Sequence, residues 1–296
     1  MSPQETPPLY HGLYINLERS DGRRARFEAS LARLGLTSRY GRLAAVDGKS
    51  LSAGRSTITP GQFGCFLSHV RALEEARGRG VNIHILEDDA ILSEHTEPVI
   101  SDAIARGLLD RFDILFTDTL VDCNVPPLKA MKAAFDKTAA AANRPMKISD
   151  FQILDLSRQN FACLTSYVVG LRSIDKILAL YRQELGAGPR IPVDLFIRDA
   201  VHAGKLRAAC VFPFVTSFAL EEIAGSTIDE REGRLENPSV MVLAALRYSF
   251  FLARDLSYAK RHLDAATKVG RSPADAHHEL IVQALEYVMS GDFQEF

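Results

Sequence analysis

Tryptophan is absent from the 296 residues. That removes the side chain with the largest stacking face from any sugar or base platform and leaves stacking to Phe and Tyr. Cysteine is scarce. Cys65, Cys123, Cys163 and Cys210 lie far apart with no C-x-x-C pair, which excludes a zinc ribbon and a secreted disulfide framework and predicts buried thiols in a reducing compartment. Charge of one sign is lacking too. Lys and Arg number 35 against 37 Asp and Glu, so no overall basic field draws a polyanion and no nucleic-acid partner is expected. No stretch reaches the roughly 18–20 apolar residues of a membrane-spanning helix. The opening Met1 to Pro8 holds three prolines and no basic residue, so it does not read as a signal peptide, and a cytoplasmic protein is expected.

What is present is ordinary globular material, 47% apolar and 24% charged, long enough for one large domain or two small ones. The pattern alternates. Strands are predicted over Leu9–Leu17, Arg39–Val46, Val81–Leu86, Asp113–Thr117, Phe151–Leu156, Phe161–Gly170 and Leu206–Phe212. Helices are predicted over Arg23–Leu34, from Thr59-Pro60 to Gly78, and over Ser173–Leu185 and Val193–Ala203. Strands alternating with helices indicate an α/β unit with a mostly parallel sheet flanked by helices. The stretch Val121–Asp150 has no clean period and reads as a partly helical excursion. From residue 237 the pattern turns helical, over 240–256, 258–268 and 273–289. The division that follows is residues 1–235 for the α/β unit and 236–296 for a helical extension.

The sharpest chemical feature is Glu87-Asp88-Asp89, three carboxylates directly after an apolar strand. Like charges this close raise one another's pKa, a cation relieves that penalty, and oxygen-only donors favour Mg²⁺ or Mn²⁺. In an open α/β sheet, ligands bind outside the carboxyl ends of strands, which is where this cluster sits.

Three further segments fit with Ile85-Leu86-Glu87-Asp88-Asp89: Tyr14-Ile15-Asn16-Leu17-Glu18-Arg19-Ser20 with Arg23-Arg24, Ala45-Val46-Asp47-Gly48, and Thr59-Pro60-Gly61-Gln62-Phe63-Gly64-Cys65-Phe66-Leu67-Ser68-His69. Together they resemble glycosyltransferase family 25, the family of the bacterial lipooligosaccharide galactosyltransferases. Weaker matches at Thr165-Ser166-Tyr167, Pro192-Val193-Asp194 and Ser226-Thr227-Ile228 extend the resemblance over roughly residues 10 to 230. It implies a GT-A-like fold, a UDP-sugar donor (UDP-galactose above all), Mn²⁺ or Mg²⁺, and a glycan or glycolipid acceptor. On that reading Glu87 and Asp89 hold the metal, Asp88 shares in catalysis, and Asp194 is the general base of an inverting transfer. Asn16, Leu17, Arg19, Arg23, Arg24, Asp47, Ser68, His69 and Tyr167 hold the nucleotide sugar.

Each of these residues also has a plainer reading: Arg23 and Arg24 as a solvated helix face, Asp47 as turn chemistry with Gly48, Tyr167 as core, and Asp194 as a first-turn helix acid. His84, inside an apolar strand, reads as a satisfied core histidine. Val240 to Ala253, apolar nearly all round, suggests packing against the chain's own domain, a homodimer contact, or a contact with the inner-membrane surface. Two rival functions are weighed. A non-catalytic family-25-like binding module is disfavoured by the intact Glu87-Asp88-Asp89. A Mg²⁺-dependent phosphohydrolase needs a second carboxylate or nucleophile cluster, and no other strand end supplies one.

Overall fold

The computed structural model describes residues 9–51, 55–121, 133, 136–137, 144, 146–219 and 250–252. Within these, β1 (Tyr10–Asn16), β2 (Tyr40–Ala44), β3 (Asn82–Glu87), β5 (Ile114–Val121), β6 (Gln152–Asp155), β7 (Phe161–Val169) and β8 (Ala208–Phe212) form one sheet in the order β2-β1-β3-β7-β5-β8-β6. β1 pairs in parallel with both β2 and β3, and β5 with β8. β7 runs antiparallel to β3 and β5, and β6 to β8. The mostly parallel sheet therefore holds in direction for five strands of seven, with β6 and β7 reversed. A separate ribbon pairs β4 (Ala90–Leu92) with β9 (Thr216–Phe218). Strands of three residues are too short to show a period, which is why the sequence pattern does not reveal this ribbon.

Two helical layers enclose the sheet. α1 (Asp21–Arg33), α3 (Thr96–Ala105) and α4 (Leu108–Arg111) cover one face through Phe27, Leu31, Val99, Ile100, Leu108 and Leu109. α2 (Pro60–Arg77), α5 (Ile174–Ala187) and α6 (Val193–His202) cover the other through Phe66, Val70, Leu73, Ile177, Leu178 and Ile197. Strand alternation assigns Ile83 and Ile85 of β3 to the α2 side and Leu86 to the α1 side.

α2 begins where its sequence dictates. Thr59 Oγ1 accepts the Gln62 N–H at 3.2 Å, and Gln62 Oε1 accepts the Thr59 N–H at 3.0 Å, with Pro60 as the first helical residue. Such a cap contributes about 1 kcal/mol. Seating α2 then requires two glycines. A Cβ on Gly64 would lie 2.6 Å from both the Gly48 nitrogen and the Val46 oxygen, and one on Gly48 would lie 1.6 Å from the Pro60 oxygen. The Val46-Asp47-Gly48 loop and the Gly64-Cys65 turn of α2 are thus two sides of one backbone contact. Ser68 closes it, accepting the Val46 N–H at 2.8 Å and donating to the Gly64 carbonyl at 2.7 Å.

A chain of buried hydrogen bonds crosses the sheet. The Tyr40 hydroxyl meets His84 Nδ1 at 2.8 Å, His84 Nε2 meets Ser166 Oγ at 2.8 Å, and Ser166 Oγ meets Thr117 Oγ1 at 2.7 Å. Thr216 Oγ1 donates to Thr117 Oγ1 at 2.9 Å. His84 is thus the satisfied core histidine its strand predicts. Burial alone drives its pKa down to about 3.

The expected helices at 258–268 and 273–289 lie outside the described residues, as does nearly all of 122–145. Of the helix expected over 240–256, only 250–252 are described, and there the chain does not continue a helix. Phe251 makes an isolated parallel bridge with Phe214. The Phe214 N–H donates to the Phe250 carbonyl, and the Leu252 N–H to the Phe214 carbonyl, each at 3.1 Å. All three residues are buried, and Phe250 packs edge-on against Phe212 with centroids 5.2 Å apart. A run apolar on all sides suits an extended segment in a core as well as a buried helix, which accounts for the difference. The dimer and membrane readings of this extension rest on residues outside the described set. Among the described residues no helix is long and apolar enough to cross a membrane.

Candidate functional site

β2, β1 and β3 lie side by side, and the chain leaves β1 for β2 on one side and crosses back to β3 on the other. β1 therefore marks a switch point, where the loops at the strand ends diverge and leave a crevice. A cleft open to solvent lies there. Leu17, Arg19 and Arg23 line it after β1, Val46, Gly48 and Lys49 after β2, Glu87, Asp88 and Asp89 after β3, and Gly61, Cys65, Ser68 and His69 from α2.

The three carboxylates do not crowd one another as their adjacency predicts. Glu87 continues the Ile83–Ile85 face and meets α2. His69 Nε2 lies 3.4 Å from Glu87 Oε1, and Cys65 Sγ lies 3.7 Å from the same oxygen. His69 Nδ1 is 2.8 Å from the Tyr167 hydroxyl. Burial pushes the Glu87 carboxyl up, but the His69 bond and charge, the Cys65 thiol and Arg23 outweigh it and hold it below the ordinary range. Burial, with Glu87 and Asp194 nearby, raises the Cys65 thiol well above its usual value.

Asp88 turns the other way, toward β1. Asn16 Nδ2 donates to Asp88 Oδ2 at 2.6 Å and Arg23 Nη1 to Oδ1 at 3.3 Å. Asn16 is itself fixed by Arg42, whose Nε donates to Asn16 Oδ1 at 2.9 Å. Burial lifts Asp88 above its ordinary value despite Asn16 and Arg23, and the Glu87 charge adds only a minor rise. The mutual repulsion expected from sequence is therefore a small effect here, because the chain sends neighbouring side chains to opposite partners. Asp89 lines the cleft while its carbonyl accepts the Ala219 N–H at 2.8 Å, next to the β4–β9 ribbon.

The other predicted residues divide. Arg19 pairs with Asp47 across the mouth of the cleft, and Asp47 also accepts the Lys49 N–H at 3.1 Å. Asn16, 1% exposed, acts through Asp88. Arg24 turns onto the helix surface and pairs with Asp21 at 2.9 Å, away from the cleft lining. Tyr167, 1% exposed and packed beside Phe116, has no face for a sugar, and its hydroxyl orients His69 instead. The hydrogen bonds of Ser68 hold α2 to the 46–48 loop. Asp194, in the first turn of α6, accepts the Cys163 N–H at 3.0 Å. That bond holds Cys163 at φ +72°, a left-handed conformation costing a non-glycine residue about 1–2 kcal/mol, beside the irregular β5–β7 register. Asp194 is not in the cleft lining, although its charge reaches Cys65 and Tyr181.

Cys65, Lys49 and Arg42 are site residues that the sequence reading did not single out. Cys65 had a signal, since it stands four residues before His69 on one helix face. Arg42 had none, because its link to Asn16 is made only by the β1–β2 register. For a metal, Glu87, Asp88 and Asp89 on one cleft wall are oxygen donors whose chemistry fits a hard divalent cation such as Mn²⁺ or Mg²⁺.

No curated protein matches the chain. The model of glycosyltransferase family 25, described as an LPS biosynthesis protein, matches residues 11–197. That span takes in β1 with Asn16, the Gly48–Gly64 contact, α2 with His69, the three carboxylates and Asp194. With well over half the sequence matched, including every wall of the cleft, the chain belongs to glycosyltransferase family 25.

Proposed function

We propose that this chain is a metal-dependent transferase that moves a hexose, galactose above all, from a UDP-sugar to a hydroxyl of a lipooligosaccharide or other surface-glycan acceptor, with inversion, at the cytoplasmic side of the inner membrane. The observation that carries this reading is the cleft at the β1 switch point. It faces Arg19, Arg23 and Lys49 against Glu87, Asp88 and Asp89 in a member of a glycosyltransferase family.

The residues then divide the work. Arg19 and Lys49, both exposed at the mouth, meet the donor diphosphate as cations, and Leu17 and Asp47 border the nucleoside. Arg23 and Asn16 keep the Asp88 carboxylate fixed in direction. Glu87 and Asp89 would hold Mn²⁺ or Mg²⁺. When bound, such an ion offsets the charge on the departing UDP. Asp194, behind the cleft lining with a charge that reaches Cys65, is the general base of this reading and takes the proton of the acceptor hydroxyl.

The test is UDP release from a panel of UDP-sugars with Mn²⁺ and a glycolipid acceptor. Asp89→Ala, or EDTA on the parent protein, is expected to reduce release at least a thousandfold. Full activity in either condition refutes the reading.

A further inference from the structure

We infer that Cys65, His69 and Glu87 form a site for a thiophilic divalent cation of the zinc class, sharing only Glu87 with the carboxylates assigned to the donor's metal. Cys65 and His69 stand four residues apart on α2, so one helical turn puts both on the same face. Glu87, the last residue of β3, meets them from the sheet. Ligand atoms of the three all lie within 4.8 Å of one another.

Two of the three spacings fit ligation. A histidine N–H donating to a carboxylate closes to about 2.7–2.9 Å, whereas here Nε2 and Oε1 are 3.4 Å apart. Around a tetrahedral ion with bonds of about 2.3 Å to sulfur and about 2.1 Å to nitrogen and oxygen, N···O comes to about 3.4 Å and S···O to about 3.6 Å. The observed distances are 3.4 Å and 3.7 Å.

A second observation is independent of the spacing. His69 is fully buried, and its far nitrogen is fixed by the Tyr167 hydroxyl at 2.8 Å. A hydrogen bond at the outer ring nitrogen is what orients a metal-binding histidine. All three residues line the cleft, so a fourth corner opens on solvent, the pattern of three protein ligands and one exchangeable position.

The protons balance. The cation replaces the thiol proton of Cys65, which leaves to solvent. His69 binds through the Nε2 lone pair with its ring proton on Nδ1, where the Tyr167 oxygen accepts it. Glu87 contributes one oxygen.

Cobalt(II) is the probe, titrated into the full chain under anaerobic, thiol-free reducing conditions. One equivalent is expected to produce a sulfur-to-cobalt charge-transfer band in the near ultraviolet that zinc displaces. Cys65→Ser is expected to abolish the band, His69→Gln to weaken cobalt affinity at least tenfold, and Cys163→Ser to leave both unchanged. Absence of the band in the parent protein, its survival in Cys65→Ser, or unchanged affinity in His69→Gln overturns the proposal. Should His69→Gln not fold, the parent and Cys65→Ser decide it. Transferase activity is not read, so this result stands or falls apart from the reading of the donor site.

Discussion

The two halves of the sheet solve different problems. In β2-β1-β3 the strands are parallel, their ends point one way, and the loops that follow leave a crevice lined by charge. In β7-β5-β8-β6 direction alternates more often and the polar groups are turned inward. There Asp113 accepts from Ser173 Oγ, Lys176 Nζ and the Arg207 N–H, at 2.7, 2.7 and 2.8 Å, and so ties β5 to α5 and β8. Burial raises the Asp113 carboxyl, but Lys176 and these hydrogen bonds bring it below its ordinary value. One half leaves charged groups on the walls of an open cleft, while the other uses them up on itself. The contrast shows that parallel strand ends, more than residue types, decide where charge remains accessible.

The largest expected effect asks whether the far half reaches into the chemistry. Asp194→Asn keeps an oxygen to accept the Cys163 N–H but removes the charge. If Asp194 is the base, kcat falls about 10²- to 10⁴-fold while the melting temperature holds. An unchanged kcat confines catalysis to the parallel half.

The next effect belongs to the far half's stability. Phe250→Ala empties a fully buried site against Phe212 and should cost about 3–5 kcal/mol in urea denaturation.

Gly64→Ala strikes the cleft half. Its Cβ meets backbone at 2.6 Å on two sides, so α2 must move. A loss of about 1–3 kcal/mol is expected, together with weaker nucleotide-sugar binding by calorimetry. Loss of stability with binding intact would show that the contact serves packing alone.

The smallest effect lies at the seam. His84 has a folded pKa of about 3 against 6.5 unfolded. Between those values the unfolded chain binds a proton that the native chain refuses. Its contribution is therefore complete above about pH 6.5 and fades as pH falls, by up to about 1.4 kcal/mol per unit. Denaturation at pH 7, 6 and 5 measures that slope, and His84→Gln should flatten it.

The parallel half was the more legible in sequence, for a physical reason. Its strands are apolar runs that end in chemistry, so Glu87-Asp88-Asp89 marks both a boundary and a site. The glycines of Val46-Asp47-Gly48 and Gly64-Cys65 were visible as residues, but not as the two faces of one contact, because contact is a matter of three dimensions. Asp88 shows the same limit. Its neighbours in sequence are acidic, whereas its partners in space are Asn16 and Arg23, 72 and 65 residues away. The hydrogen bonds of Tyr167 to His69 and of Ser68 to the 46–48 loop are likewise invisible in sequence, because their partners are distant along the chain. The bridge at 250–252 was hidden because apolarity without a period does not distinguish an extended core segment from a buried helix.

That bridge also sets an order on biosynthesis. A ribosome adding about 5–20 residues per second finishes β8 and exposes Phe212 and Phe214 well before it reaches Phe250, with 38 residues separating Phe212 from its cover. At that rate Phe212 and Phe214 exist for about 2–8 s before the residue that covers them is made.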